Sequence, residues 1–236
     1  MRVSRYLKAI VEARVHRHYT PTGEDVILRH LFDTVGIARP NYLDIGANDP
    51  VNGNNTYVFY RDGSIGVCVE ANPELAREIA TIRRRDVCLN IAVGVADSGA
   101  VDVYVFDVAA LSTIDAAEAA RREALGTYRV VRTVSVPLRT INDVIAAHFA
   151  TYPALLSLDI EGMDHAVLRS LDAERFPIPV ICVETVAYSE SHIRKKERAI
   201  ADLLESRGYF LYADTFINSI FVRDAWYRDQ ASARLY

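Results

Sequence analysis

The chain has 236 residues, half of them hydrophobic and a quarter charged, with a formal net charge of −4. That length fits one large domain with a full core, and the acidic balance excludes a whole-molecule electrostatic footprint for nucleic acid. Cys68, Cys88 and Cys182 lie in apolar runs at spacings that match no zinc site, which reads as buried free thiols in a reducing compartment.

Residues 1–19 read as a basic N-terminal helix, with Arg2, Arg5, Lys8, Arg14 and Arg17 against Glu12. Two readings stay open. The helix lies on an acidic membrane surface, at the inner face, or it packs on its own domain or on a second copy in a homodimer. No apolar run is long enough to cross a bilayer and no secretory core precedes the domain, so the expected location is cytoplasmic.

The main domain is expected over residues 20–230. Thr22 is positioned to cap a helix over Glu24–Val35, which Gly36 stops. Tyr42–Ile45 reads as a short buried strand, Gly53–Asp62 as a crossover helix, and Ile65–Val69 as the second strand. Pro73 opens a helix to about Arg83, and Val87–Val93 reads as one third strand. Val101–Phe106 alternates with one covered face. Ala109–Leu125 is helix-prone and fits the repeat least well, so it is either a flap over the site or a surface insertion. Arg129–Leu138 reads as strand, Thr140–Phe149 as helix, Ala154–Leu158 as strand and Gly162–Leu171 as helix. Pro179–Val183, the helix His192–Ser206 and a hairpin of Tyr209–Ala213 with Ile217–Arg223 complete the chain. Strands alternating with helices predict an α/β three-layer sandwich on a mostly parallel seven-stranded sheet with a C-terminal antiparallel hairpin.

Such a sheet puts the C-terminal ends of its parallel strands on one edge, where ligands sit. Asp44, Glu70, Asp159 and Glu184 all fall there. Asp44-Ile45-Gly46-Ala47-Asn48 turns on a single glycine, too few for a pyrophosphate cradle but enough for a ligand without phosphate. S-adenosylmethionine is such a ligand, and carboxylates near its sulfonium are electrostatically favourable. Glu70 stands where it can accept ribose hydroxyl protons, with Asn72 beside it. Asp159, Glu161 and Asp164 crowd one strand end. With Glu184 from the next strand, Asp159 and Glu161 could meet a divalent cation; the alternative is that Glu161 and Asp164 favour the following helix N-terminus. Asp159 and His192 are the candidate bases for a hydroxyl nucleophile, and Tyr188 a candidate wall of the acceptor pocket.

DIGAN, GVCVEANP, LSLDIEGMD and VICVET, flanked by GEDVILRHLF and INSIFV, resemble the FkbM-type methyltransferases over roughly residues 20–223. The resemblance implies a Rossmann-like class I methyltransferase using S-adenosylmethionine for O-methylation, often of sugars or other hydroxylated products. It implies that Asp44, Gly46 and Asn48 line the methionine part of the cofactor and that Glu70, with Asn72 beside it, holds the ribose. It further implies that Asn90 and Ala92 lie near the adenine and that Asp159 faces the methyl. Some sugar-directed relatives hold Mg2+, which would correspond here to Asp159 and Glu184. Two features depart from the pattern: Asp49-Pro50 follows the turn where a glycine is common, and Gly162 stands where metal-binding relatives carry histidine. A NAD-dependent oxidoreductase and a non-catalytic cofactor-binding member remain the competing readings.

Overall fold

A computed structural model describes residues 18–96, 99–187, 195–196 and 198–232. The strands β1 (Tyr42–Ile45), β2 (Gly66–Val69), β7 (Leu155–Leu158) and β8 (Val180–Glu184) are almost wholly buried. Covered on both faces, they read as unbroken apolar runs. They pair in parallel, register by register, with Leu43 opposite both Val67 and Leu156. β3 (Val87–Leu89) extends one edge, and the antiparallel hairpin β11 (Tyr209–Asp214) and β12 (Asn218–Arg223) the other. The seven-stranded order is β11-β12-β8-β7-β1-β2-β3.

Strand parity divides the core into two layers. Leu43, Ile45, Val67, Val69, Leu156 and Leu158 point to one face, against Ile141, Val144 and Ile145 of the helix Ile141–His148 and Val167 and Leu168 of Asp164–Ser170. Tyr42, Cys68, Leu155, Val180 and Cys182 point to the other, against Leu28, Leu31, Phe32 and Val35 of the helix Glu24–Val35. Asp44 shares the parity of Tyr42 and so faces this second layer. All three cysteines are free, and burial pushes the thiols of Cys68 and Cys182 well up.

Several boundaries differ from expectation. Val87–Val93 breaks at Asn90 and Ile91: β3 stays in the main sheet, while β4 (Ala92–Gly94) starts a second sheet of order β4-β6-β5 with β5 (Gly99–Phe106) and β6 (Val130–Thr140). At the break the Asn90 side-chain amide donates to the carbonyls of Glu70 at 2.9 Å and Ala71 at 3.0 Å. The first crossover helix shrinks to Tyr57–Arg61, because the preceding residues make side-chain-bonded turns. Thr22 does not cap the helix Glu24–Val35; Gly23 does, in left-handed conformation, and the Thr22 hydroxyl donates to Glu24. The helix-prone Ala109–Leu125 divides into a 3-10 turn, Ala109–Leu111, and a helix, Ala116–Ala124, whose N-cap Asp115 accepts from Ala117 N at 2.8 Å. The helix expected over His192–Ser206 is Ala199–Ser206, preceded by a short pair, β9 (Val186–Ala187) with β10 (Lys195–Lys196), and an unexpected helix, Asp224–Ser232, follows β12. The basic segment 1–17, Tyr188 and His192 lie outside the described residues. Among the described residues no helix is long and apolar enough to cross a membrane.

Candidate active site

Gly46 turns the chain out of β1 at φ 81°. Its N–H donates to Val69 O at 2.9 Å, and Asp159 N donates to Ile45 O at 3.0 Å. A Cβ on Gly46 would lie 1.8 Å from the Asp159 carbonyl oxygen. The glycine is thus required by the close passage of the β7 terminus, a tighter constraint than ligand approach. Gly46→Ala is expected to cost at least ~2 kcal/mol through the left-handed φ and the backbone overlap. Thermal melting that matches wild type would contradict this placement.

Asn48 follows in left-handed conformation at φ 49°, which asparagine tolerates. Its N–H donates to Glu70 Oε2 at 2.9 Å, and Asn72 N donates to Oε1 at 2.7 Å. Two backbone donors therefore aim the Glu70 carboxylate, and each oxygen keeps a lone pair for a ligand. Burial pushes the Glu70 pKa up, while the bonds from Asn72 and Asn48 pull it back in part. After the turn, Asp49 Oδ1 accepts from Val51 N and Asn52 N, both at 2.7 Å, which folds the loop that Pro50 stiffens.

Asp44 is a correction. Its carboxylate does not line the cavity: Oδ2 accepts from Thr56 Oγ1 at 2.7 Å and Asn54 Nδ2 at 3.0 Å, with Arg83 Nη1 at 3.6 Å. Strand parity turns it into the second layer, where it acts on the turn at one remove, since Asn54 Nδ2 also holds Ala47 O at 3.0 Å. Arg83, fully buried, is the hub of this cluster. It donates to Asp86 at 2.8 Å, Asn54 at 3.0 Å and Thr56 at 2.8 Å, and its guanidinium lies over the Tyr42 ring. The Asn72 side chain is likewise occupied elsewhere, capping the helix Pro73–Ile82 through Glu74 N and receiving Arg132. Asn90 braces the Glu70 and Ala71 carbonyls from an exposed position rather than lining the cavity. Arg83 stands in the run Arg83-Arg84-Arg85, and nothing in the sequence separates the buried arginine from its neighbours.

The cavity brings together Gly46, Asn48, Glu70, Ala92, Asp159 and Glu161. Its outer wall is the segment Ala109–Ile114, so the insertion covers the site and is not a detached surface feature. Thr113 is buried, pairs with Tyr104 at the β5 edge and donates from Oγ1 to Glu161 O at 3.4 Å. A second cavity shares Glu161 and adds Glu184, Arg122, His165 and Thr185.

Between the two cavities lies an acid cluster. Asp159, Glu161 and Glu184 each offer a carboxylate oxygen, all within 4.8 Å of one another. Burial and the charges of Glu184, Glu161, Asp164 and Asp44 push the Asp159 pKa well above the usual carboxylate range. Asp159 Oδ1 is buried with no hydrogen-bond partner among the described residues. Asp164 plays a different part. Buried and raised to about 6, it accepts from Ile160 N at 3.1 Å and Gly162 N at 3.3 Å and so closes the loop after β7.

An open sheet of this order, with a single-glycine turn facing a backbone-aimed glutamate at the next strand end, defines a Rossmann-like class I methyltransferase. The chain belongs to the FkbM methyltransferase domain family, whose model matches residues 44–211, and by that membership it is an S-adenosylmethionine-dependent methyltransferase. No curated protein matches the chain. Among solved structures it is similar to a TehB-like SAM-dependent methyltransferase from Corynebacterium glutamicum, at 12% identity, TM-score 0.41, covering 94% of this chain and 97% of that one. It is also similar to an O-methyltransferase from Bacillus cereus in complex with SAH, at 11% identity, TM-score 0.43, covering 93% and 87%. A third, the magnesium protoporphyrin IX methyltransferase from Synechocystis with bound SAM, has 10% identity, TM-score 0.40, and coverage of 85% and 78%. Likenesses this distant say nothing of the acceptor.

Proposed function

We propose that the protein transfers a methyl group from S-adenosylmethionine to a hydroxyl oxygen of a sugar or glycan. The observation that carries this reading is the unpartnered, buried Oδ1 of Asp159 in the same cavity as the backbone-aimed Glu70. When bound, S-adenosylmethionine supplies the methyl on a positively charged sulfur. Glu70 accepts the ribose hydroxyls, Gly46 and Asn48 border the methionine portion, and Ala92 leaves a flat apolar wall for adenine. Asp159 orients the acceptor hydroxyl and takes its proton as oxygen bonds to the methyl. Its raised pKa brings the carboxylate nearer the basicity such a step needs. The apolar wall Ala109–Ala110 helps exclude water from the joint.

A divalent cation is a second way to activate the hydroxyl. Asp159, Glu161 and Glu184 offer ligand oxygens close enough for a hard cation such as Mg2+, with one Glu161 oxygen already paired with Arg122. The cation would be held by those three carboxylates and would lower the pKa of a bound hydroxyl. His192 remains a candidate base, and the basic N-terminal segment a candidate contact for a lipid-linked glycan at the inner membrane face.

Calorimetry with S-adenosylhomocysteine and NAD, followed by labelled-methyl transfer to a panel of sugars and hydroxylated natural products, tests this reading. The expected result is binding of the first ligand, none of the second, and label in an alkali-stable ether. Glu70→Ala is expected to weaken S-adenosylhomocysteine binding by more than about tenfold, a loss typical of a hydrogen bond to a charged group. Unchanged affinity would remove Glu70 from the site, and label confined to nitrogen or carboxyl acceptors would remove the hydroxyl reading.

A further inference from the structure

Arg122 comes from the insertion helix Ala116–Ala124, yet its side chain is buried. Each of its three nitrogens has a partner. Nε donates to Glu118 at 2.6 Å, Nη1 to Leu111 O at 2.8 Å, and Nη2 to Glu161 Oε2 at 2.5 Å. Burial works against the guanidinium charge, but Glu161 and Glu118 outweigh it and push its pKa up. Glu161 itself is held at φ 52°, a conformation that glutamate rarely adopts unassisted. Arg122 at the carboxylate and Thr113 at the carbonyl fix it there. Glu161 borders both cavities, so its placement sets the passage between donor and acceptor sides.

We propose that Arg122 is a positioning residue for the acid cluster: it fixes Glu161 and neutralises that carboxylate from within the chain, so that Glu161 is withheld from any divalent cation. This rests on the reading of the cluster as the point where the acceptor hydroxyl is activated. The geometry divides the labour. The guanidinium is divided among Glu118, the Leu111 carbonyl and Glu161, and the Asp159 oxygen is left open for an acceptor proton. A guanidinium cannot be lost to a chelator and keeps its charge at every pH at which the protein is folded. It also ties the insertion to the cluster, so that the wall over the donor cavity and the acid beneath it are set by one side chain.

The test is titration of the full-length protein with Mn2+ by calorimetry, for wild type, Arg122→Met and Arg122→Lys, each also titrated with S-adenosylhomocysteine. Wild type is expected to bind Mn2+ weakly. Arg122→Met is expected to bind it more tightly by roughly tenfold or more, the scale on which groups around a metal site act. Arg122→Lys, which keeps the charge, is expected to stay near wild type. An arginine that only braces the insertion helix would, when lost, lower cation binding or leave it alone; one that holds and neutralises Glu161 would raise it by freeing that carboxylate. Tight stoichiometric Mn2+ binding by wild type, or binding by Arg122→Met no tighter than wild type, overturns the proposal. If Arg122→Met does not fold, the charge-removing partner Glu161→Gln serves: release of the arginine without gain of a carboxylate must weaken Mn2+ binding below wild type, and unchanged binding overturns the proposal. The S-adenosylhomocysteine titration separates this outcome from failure of the methyltransferase reading, because the donor ligand does not require the cluster to carry a cation.

Discussion

Replacing Asp159 with Asn is expected to cut methyl transfer by about a hundred- to ten-thousandfold, the range for removal of a general base. S-adenosylhomocysteine affinity is expected to stay close to wild type, because the backbone of Asp159, not its carboxylate, packs against the Gly46 turn. Labelled-methyl transfer and calorimetry on one preparation check both halves, and normal turnover would discard the assigned role. The same change is expected to raise thermal stability at neutral pH. The folded pKa of Asp159 lies well above its unfolded value, from burial first and neighbouring carboxylates second. Its stability contribution is therefore present below the ordinary carboxylate range and lost as pH climbs through the folded pKa. An amide carries no such penalty. The gap in melting temperature should open at neutral pH and close in acid.

Replacing Arg83 with Met is expected to be among the most destabilising single changes in the chain. It would leave Asp44 and Asp86 buried without their cation, and Asn54 and Thr56 without a donor. Breaking a buried pair by removing one partner costs about 3–5 kcal/mol, which for a chain of this size lowers the melting temperature on the order of 10 °C. The donor cavity should suffer with it, since Asn54 links this cluster to the Ala47 carbonyl in the turn. Differential scanning calorimetry and S-adenosylhomocysteine binding read the two effects. A melting temperature within a degree or so of wild type would show that the cluster reorganises at little cost.

The central strands were legible because each is buried on both faces and therefore reads as a run of valine, leucine and isoleucine. The strand ends were legible for the opposite reason, as carboxylates stand out where the apolar run stops. Glu70, Gly46, Asn48, Ala92, Asp159 and Glu161 accordingly line one cavity. Asp44 misled because strand parity, not distance from the strand end, decides which side a side chain faces. With Tyr42 two residues before it in the helix-packed layer, the same layer had to receive Asp44. Asn72 stands beside Glu70 as expected, through its N–H, while its side chain caps the following helix, a use that a residue before Pro-Glu serves equally well. Arg83, Thr113 and Arg122 left no local signal. Their partners lie up to 48 residues away in sequence, and only the assembled layers bring them together. The break between β3 and β4 was hidden because Val87–Val93 is mostly apolar; Asn90, its one polar residue, marks the place and bonds to the preceding strand end.

The contact between Gly46 and the Asp159 carbonyl means that two main chains set the distance between the β1 turn and the backbone of Asp159. That span cannot be retuned by swapping side chains at either end. The wall borne by the small sheet, by contrast, can be exchanged without moving that backbone contact.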